Sequence, residues 1–374
     1  AMSPAIMTVK GFGADEIGAV HEQAFELADQ AGNQDQSFRA LFGSWMYEMQ
    51  RPPMARAVRV ANRLTAIAEE TGERGHQLQA LHSRWSMGLF LGEIEASHRQ
   101  IKEGNRLYDI EQHGHHHTIF GGHDPGICAS NFDSFCLWLL GFSDQAAEAN
   151  ERSIVLGGEV GHTFSVMISH TFAAMRKLFQ DHWDAAAANA GLALEMSEEY
   201  GFATTSQLLL IKGLAETAAD RGRPPDARLL EICRRPSPAG LEAFRPYKLS
   251  MLAGLLVDAG EPGDAMGLID DAFMLVAPYE SHWCVPELHR RKGELLRVLS
   301  GDDAEAERSF SAALAMGQKQ GAKAWELRAA TSLARLKRDQ GKEGVGHRIL
   351  APVYDRFSEG FDTPELIEAK AILE

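Results

Sequence analysis

The sequence lacks a long apolar run, is poor in cysteine and carries too few cations for its anions, and each shortage closes a class. The longest apolar stretch, 135–142, falls far short of the ~20 residues that span a bilayer, so no membrane partner is expected. The start, Ala1-Met2-Ser3-Pro4, has no charged segment leading into an apolar core, so no signal peptide is read there, and Ala1 ahead of Met2 reads as a cloning scar. Four cysteines (Cys128, Cys136, Cys233, Cys284) form no CxxC, which fits reduced thiols and a cytoplasmic location. With 37 Lys and Arg against 52 Asp and Glu the formal charge is −15. Nucleic acid and anionic membranes need a basic face that releases counterions, so neither is an expected partner. β-branched residues never gather into alternating runs, so no sheet is expected. Disorder is excluded by a hydrophobic content of 45% with 24% charged residues.

What remains is helix, broken at regular intervals. Gly92, Gly141, Gly222, Gly260, Gly301 and Gly341 each end an apolar segment just before another helical segment begins. Their gaps are 49, 81, 38, 41 and 40, and the 81 divides into two near 40 if Asp181 marks the missing turn. A second series, Gly72, Gly161, Gly201, Gly240 and Gly321, interleaves with gaps of 89, 40, 39 and 81. Two alternating turns per 40 residues describe a helix hairpin, and stacked hairpins bury their apolar faces only against neighbours. The expected fold is all-α: a right-handed α-solenoid of TPR-like hairpins, about 40 residues per repeat, about eight units and no sheet. Residues 1–13 are expected to be scar and disordered lead, and 14–374 a single solenoid.

One interval runs about nine residues over the period. The surplus lies at 112–126, QHGHHHTIFGGHDPG, which holds five of the 15 histidines: His113, His115, His116, His117 and His123. Insertions in solenoids emerge as loops at one edge, often beside a binding surface. The plain reading of HGHHH is a solvated loop. His123 differs, because Asp124 can cap the following helix with Pro125 at its first position, which leaves His123 at the lip of the concave face.

GGHDPGICASNFDSFCLWLLGFSDQAAEA, GHTFSVMISHTFAAM, GAKAWELRAATSLARLKRDQGK and APVYDRFSEGFDTPELIEAKAIL together resemble one bacterial region. It is the C-terminal tetratricopeptide-like (MalT-like) region of large predicted ATPase regulators, many of which carry a class III adenylate cyclase domain. The resemblance covers about 36–374. It implies a sensor or protein-interaction arm, with the chemistry in ATPase and cyclase domains that this sequence does not contain; it has no GxxxxGK[ST] loop. The family's usual His-Pro-Phe-Ser is here His162-Thr163-Phe164-Ser165.

The first helix of each hairpin should line the inner face, which puts His82, Trp85, Asn131, Phe135, Trp138, His162, Ser165, Ser169 and His170 there. His162 and His170, eight apart, fall within about 80° on one helix face. With His82 and His123 they are candidates to converge. In that case His123, Asp124 and His162 would hold a divalent metal (Zn, Fe, Ni or Mn) able to activate water. Most of Trp85, Phe132, Phe135, Trp138, Phe164 and Phe172 should be core, with two or three walling an apolar pocket capped by histidines. Arg245, Lys248, Arg290, Arg291, Lys292, Arg328 and Arg335 form a mild basic stripe of the kind that clamps an acidic peptide, though most of these side chains are expected to be solvated or paired with Glu at helical spacing, as Glu287 could be with Arg291. Two functions follow. The first is a ligand- or protein-binding module whose concave groove takes a peptide, a protein domain or a small molecule. The alternative is a stand-alone metal-dependent hydrolase in the same groove.

Overall fold

The computed structural model describes residues 3–220, 222–237, 240 and 242–374, and side chains from Ile6 onward. They form 21 α-helices and three short 3-10 turns, with no strand among them. None of these helices is long and apolar enough to cross a membrane. The architecture is the expected helical solenoid. Its inner helices begin at Pro125, Thr163, Thr205, Arg245, Val285 and Lys323, every 38 to 42 residues.

Every glycine of both series has a positive φ, and so does Asp181 at 62°. A left-handed residue ends a helix by turning the chain away from its axis, which a Cβ opposes. Asp181 therefore occupies the turn where the repeat lacks its glycine. The cap at the insert also forms as expected: Asp124 Oδ1 accepts from the Ile127 N–H at 2.9 Å and Pro125 opens helix Pro125–Leu139.

The hollow of the superhelix is not open. Helix Pro125–Leu139 meets helix Lys323–Asp339, and the turn His282–Cys284 meets helix Arg74–Leu91, so the winding closes on itself. Large rings fill the axis: Trp138 lies 5.0 Å from Trp325, Phe244 5.2 Å from Trp283, and Phe179 4.2 Å from Tyr247. Phe135 and Trp138, expected in a groove, belong to this column and are fully buried. The reason is geometric, because a tight winding brings inner faces from distant repeats into contact, and burying those rings is strongly favourable.

An ionic cluster is buried in the same axis. Arg328 bonds Glu365 at 2.8 Å and lies 3.7 Å from Glu287, which in turn pairs with Arg290 at 2.6 Å and Arg291 at 3.3 Å. Burial alone would raise the Glu287 carboxyl, but Arg290, Arg328 and Arg291 hold it down at about 2. Trp138 completes the cluster by donating its indole N–H to Glu365 Oε1 at 3.2 Å.

Two segments depart from expectation. The lead, expected to lack structure, carries helix Ser3–Lys10 with Met7 buried, and its Thr8 carbonyl accepts from the Ala203 N–H at 3.0 Å. Residues 1 and 2 lie outside the described part. The insert is not a solvated loop either: it forms two single-turn helices, Ile110–His113 and His116–Ile119, and buries His113, His116 and His123. Asp109 nucleates it by accepting from the backbone N–H groups of Glu111 and Gln112.

Candidate functional site

Four inner-face segments and the lead enclose a cavity of about 70 Å³. Helix Gln34–Glu48 contributes Trp45 and Met46, and helix Arg74–Leu91 contributes His82 and Ser86. Helix Pro125–Leu139 turns Cys128, Asn131 and Phe132 inward, the i, i+3, i+4 face of one helix. Phe164, Ile168 and Phe172 come from helix Thr163–Phe179, and the insert supplies His123. Phe12 closes the remaining side, edge-on to the His123 ring at 6.2 Å.

The histidines are held in place by hydrogen bonds on their far sides. His123 Nδ1 lies 3.0 Å from the Gly121 carbonyl, an acceptor only, so Nδ1 carries the proton and Nε2 presents a lone pair. His82 Nδ1 lies 3.0 Å from Gln79 Oε1, and Gln79 Nε2 lies 3.0 Å from His116 Nδ1. With His82 Nδ1 as donor, its Nε2 also presents a lone pair. The two Nε2 atoms face each other at 3.3 Å. One nitrogen of each ring and Cys128 Sγ all lie within 4.8 Å of one another. Burial disfavours the charged form of both rings, lowering His123 to about 4 and His82 well below its ordinary value. The Cys128 thiol is pushed up to about 12 by burial, with Trp85 and Ser86 pulling it back down.

Other polar atoms at the cavity lack a partner. Both amide atoms of Asn131 and the Trp45 indole N–H are buried without a hydrogen bond. Leaving such a group unpaired costs about 1–3 kcal/mol, so native proteins rarely tolerate several together without a use for them.

No family model matches the chain. An uncharacterized protein of Rhizobium meliloti (strain 1021) is 26% identical over 344 residues, which cover 90% of this chain and 33% of that protein. The chain thus spans about a third of the length of this relative. Among solved structures, yeast Tom70 aligns at a TM-score of 0.41 with 12% identity, covering 95% of this chain and 72% of that one. An IFIT1 monomeric mutant with Gppp-AAAA aligns at 0.47 with 14% identity, covering 95% and 75%. Apo RapI aligns at 0.37 with 11% identity, covering 90% and 98%.

Of the residues expected at a site, the structure brings His82, His123 and Asn131 to the cavity, with Trp85 stacked on His82 at 5.0 Å. The others serve elsewhere. Asp124 does not reach the nitrogen pair, because Ile127 N–H and the Tyr108 hydroxyl, at 3.0 Å, occupy its two oxygens. Burial raises the Asp124 carboxyl to about 6. His162 stacks on His117 at 4.0 Å, and its Nδ1 meets Ser165 Oγ at 2.9 Å. That same Ser165 oxygen accepts from the Asp124 N–H at 3.0 Å. His123, Asp124 and His162 therefore share no ligand point. His170 turns toward the next helix and meets Asn189 Oδ1 at 3.2 Å. The basic stripe is largely paired internally: Arg245 with Glu242, Lys248 with Gln207, Arg335 with Glu368, and Arg290, Arg291 and Arg328 within the axial cluster.

Cys128, Trp45 and Phe12 were missed by sequence reasoning. The signal for Cys128 was its place on one helix face with Asn131 and Phe132. Nothing local marks Trp45 or Phe12.

Proposed function

We propose that the chain is a ligand-binding arm of a longer bacterial regulator, and that its ligand enters the histidine cavity instead of an open groove. The observation that carries this reading is the Asn131 amide, buried with neither atom paired on the wall of a cavity. An amide offers a donor and an acceptor side by side, so its complement is a small molecule with the same pair, such as a primary amide or lactam. About 70 Å³ is roughly half of the ~150 Å³ that admits benzene, which points to a compact ligand with a short apolar body against Phe132 and Phe164. The regulator-arm assignment draws support from the His123-Asp124-Pro125-Gly126 and Phe361-Asp362-Thr363-Pro364 resemblance, and from a relative about three times longer than the matched region.

Propionamide tests the reading, with 2-butanone as a control of similar size that accepts but cannot donate. Propionamide raises the melting temperature of the wild-type protein, 2-butanone raises it less, and Asn131→Leu removes the difference. Equal effects of the two compounds, or an equal shift in Asn131→Leu, would contradict the assignment of Asn131.

A further inference from the structure

Two imidazoles with lone pairs pointed at each other repel unless something positive lies between them. The nearest proton source, ring protonation, is disfavoured because both rings are buried. A metal ion answers the same geometry. A tetrahedral Zn2+ bonds each nitrogen at about 2.0–2.1 Å, which sets the two nitrogens about 3.3–3.4 Å apart. His82 Nε2 and His123 Nε2 are 3.3 Å apart.

We propose that a Zn2+ ion is held on the cavity wall by His82 Nε2, His123 Nε2 and Cys128 Sγ, with its fourth position open to the cavity. The donor set suits the ion, since two imidazoles and a thiolate favour zinc over magnesium, calcium or manganese. The supports suit it as well. Metal-binding histidines donate their other ring N–H to a carbonyl or similar acceptor, as His123 does to Gly121 and His82 to Gln79. Two ligands come from well-packed helices, and the third from the turn immediately before the helix that Asp124 caps. On binding, the Cys128 S–H bond breaks, the sulfur keeps the electron pair and bonds the ion, and the proton leaves to solvent. The Asn131 amide lies on the same wall, so a small molecule in the cavity meets the open metal position at one end and the amide at the other. This deepens the proposed function and rests on the same cavity being the ligand site.

A metal-free arrangement competes. If the Gln79 amide turns over and donates to His82 Nδ1, His82 Nε2 carries a proton and donates to His123. In that arrangement Cys128 is an ordinary buried core thiol.

Chelator-stripped protein without an affinity tag is titrated with Co2+ and then Zn2+. One equivalent of Co2+ binds with the strong visible absorption of a tetrahedral site and a thiolate charge-transfer band, and Zn2+ displaces it. Cys128→Ala removes the charge-transfer band, and Gln79→Ala, which touches no metal, weakens Zn2+ binding about 10–100-fold. X-ray absorption on the zinc-loaded wild type needs no variant to fold, and shows nitrogen at about 2.0–2.1 Å with one sulfur at about 2.3 Å. No retained ion, or a sulfur-free site that survives Cys128→Ala and vanishes when exposed His115 is replaced, overturns the proposal. Stabilisation by propionamide without metal binding would sink the zinc site alone; metal binding without a propionamide effect would sink the amide reading alone.

Discussion

Two polar clusters are buried on the inner helices, and they differ in completeness. Around Arg328 each charge meets its opposite: Glu365 and Glu287 face Arg328, Arg290 and Arg291, and Trp138 closes the set. Around His82 the far side of each ring is satisfied and the near nitrogens face only each other, while the Asn131 amide and the Trp45 N–H have no partner. A closed network ties distant turns of the solenoid together and has its charges paired within the fold. An open one costs stability in the free protein and is the kind of place where a partner from outside can repay that cost.

The largest contrast should come from breaking the closed cluster. Glu287→Gln leaves three guanidinium groups short of a buried counter-charge and should cost about 3–5 kcal/mol in chemical denaturation. A loss below about 1 kcal/mol would mean that the axis is better solvated than the structure shows.

Acid should act next, through histidines that are buried neutral. Burial lowers His21 to about 4 and His116 to about 3, against an ordinary value near 6.5. Below pH 6.5 the unfolded chain binds protons that the folded one refuses. Their contribution is therefore whole above pH 6.5 and is lost as the pH falls toward 4, at up to ~1.4 kcal/mol per pH unit for each ring. Denaturation curves between pH 7 and 4.5 should show this slope, and His21→Gln should flatten it; an unchanged slope would mean that His21 is protonated in the folded state.

The solenoid was legible because its period is written in residues that act locally. Gly92 and Asp181 each turn the chain through a left-handed conformation at a helix end, and Asp124 caps its helix through a bond to Ile127 three residues on. The filled axis was not legible. Periodicity shows that Trp138 lies on an apolar face, but its neighbour Trp325 is 187 residues away and is brought there only by the pitch of the winding. The candidate site divides in the same way. His82 and His123 could be picked out as polar residues on an inner face. His170 met the same criterion, yet a rotation along its helix turned it to Asn189. Cysteine spacing gave no hint of Cys128, because its partners come from another helix and from the insert.

The open cluster is tested most directly by the stability of Asn131→Leu without any added ligand. Leucine shares the branched skeleton of asparagine and has no polar atoms to leave unpaired, and its larger methyl groups have the adjoining cavity of about 70 Å³ to occupy. The account therefore predicts a protein about 1–3 kcal/mol more stable than wild type in urea, with a response to propionamide no larger than that to 2-butanone. A variant that is less stable than wild type would show that the amide already has its partners inside the fold, and the comparison between the two clusters would fall.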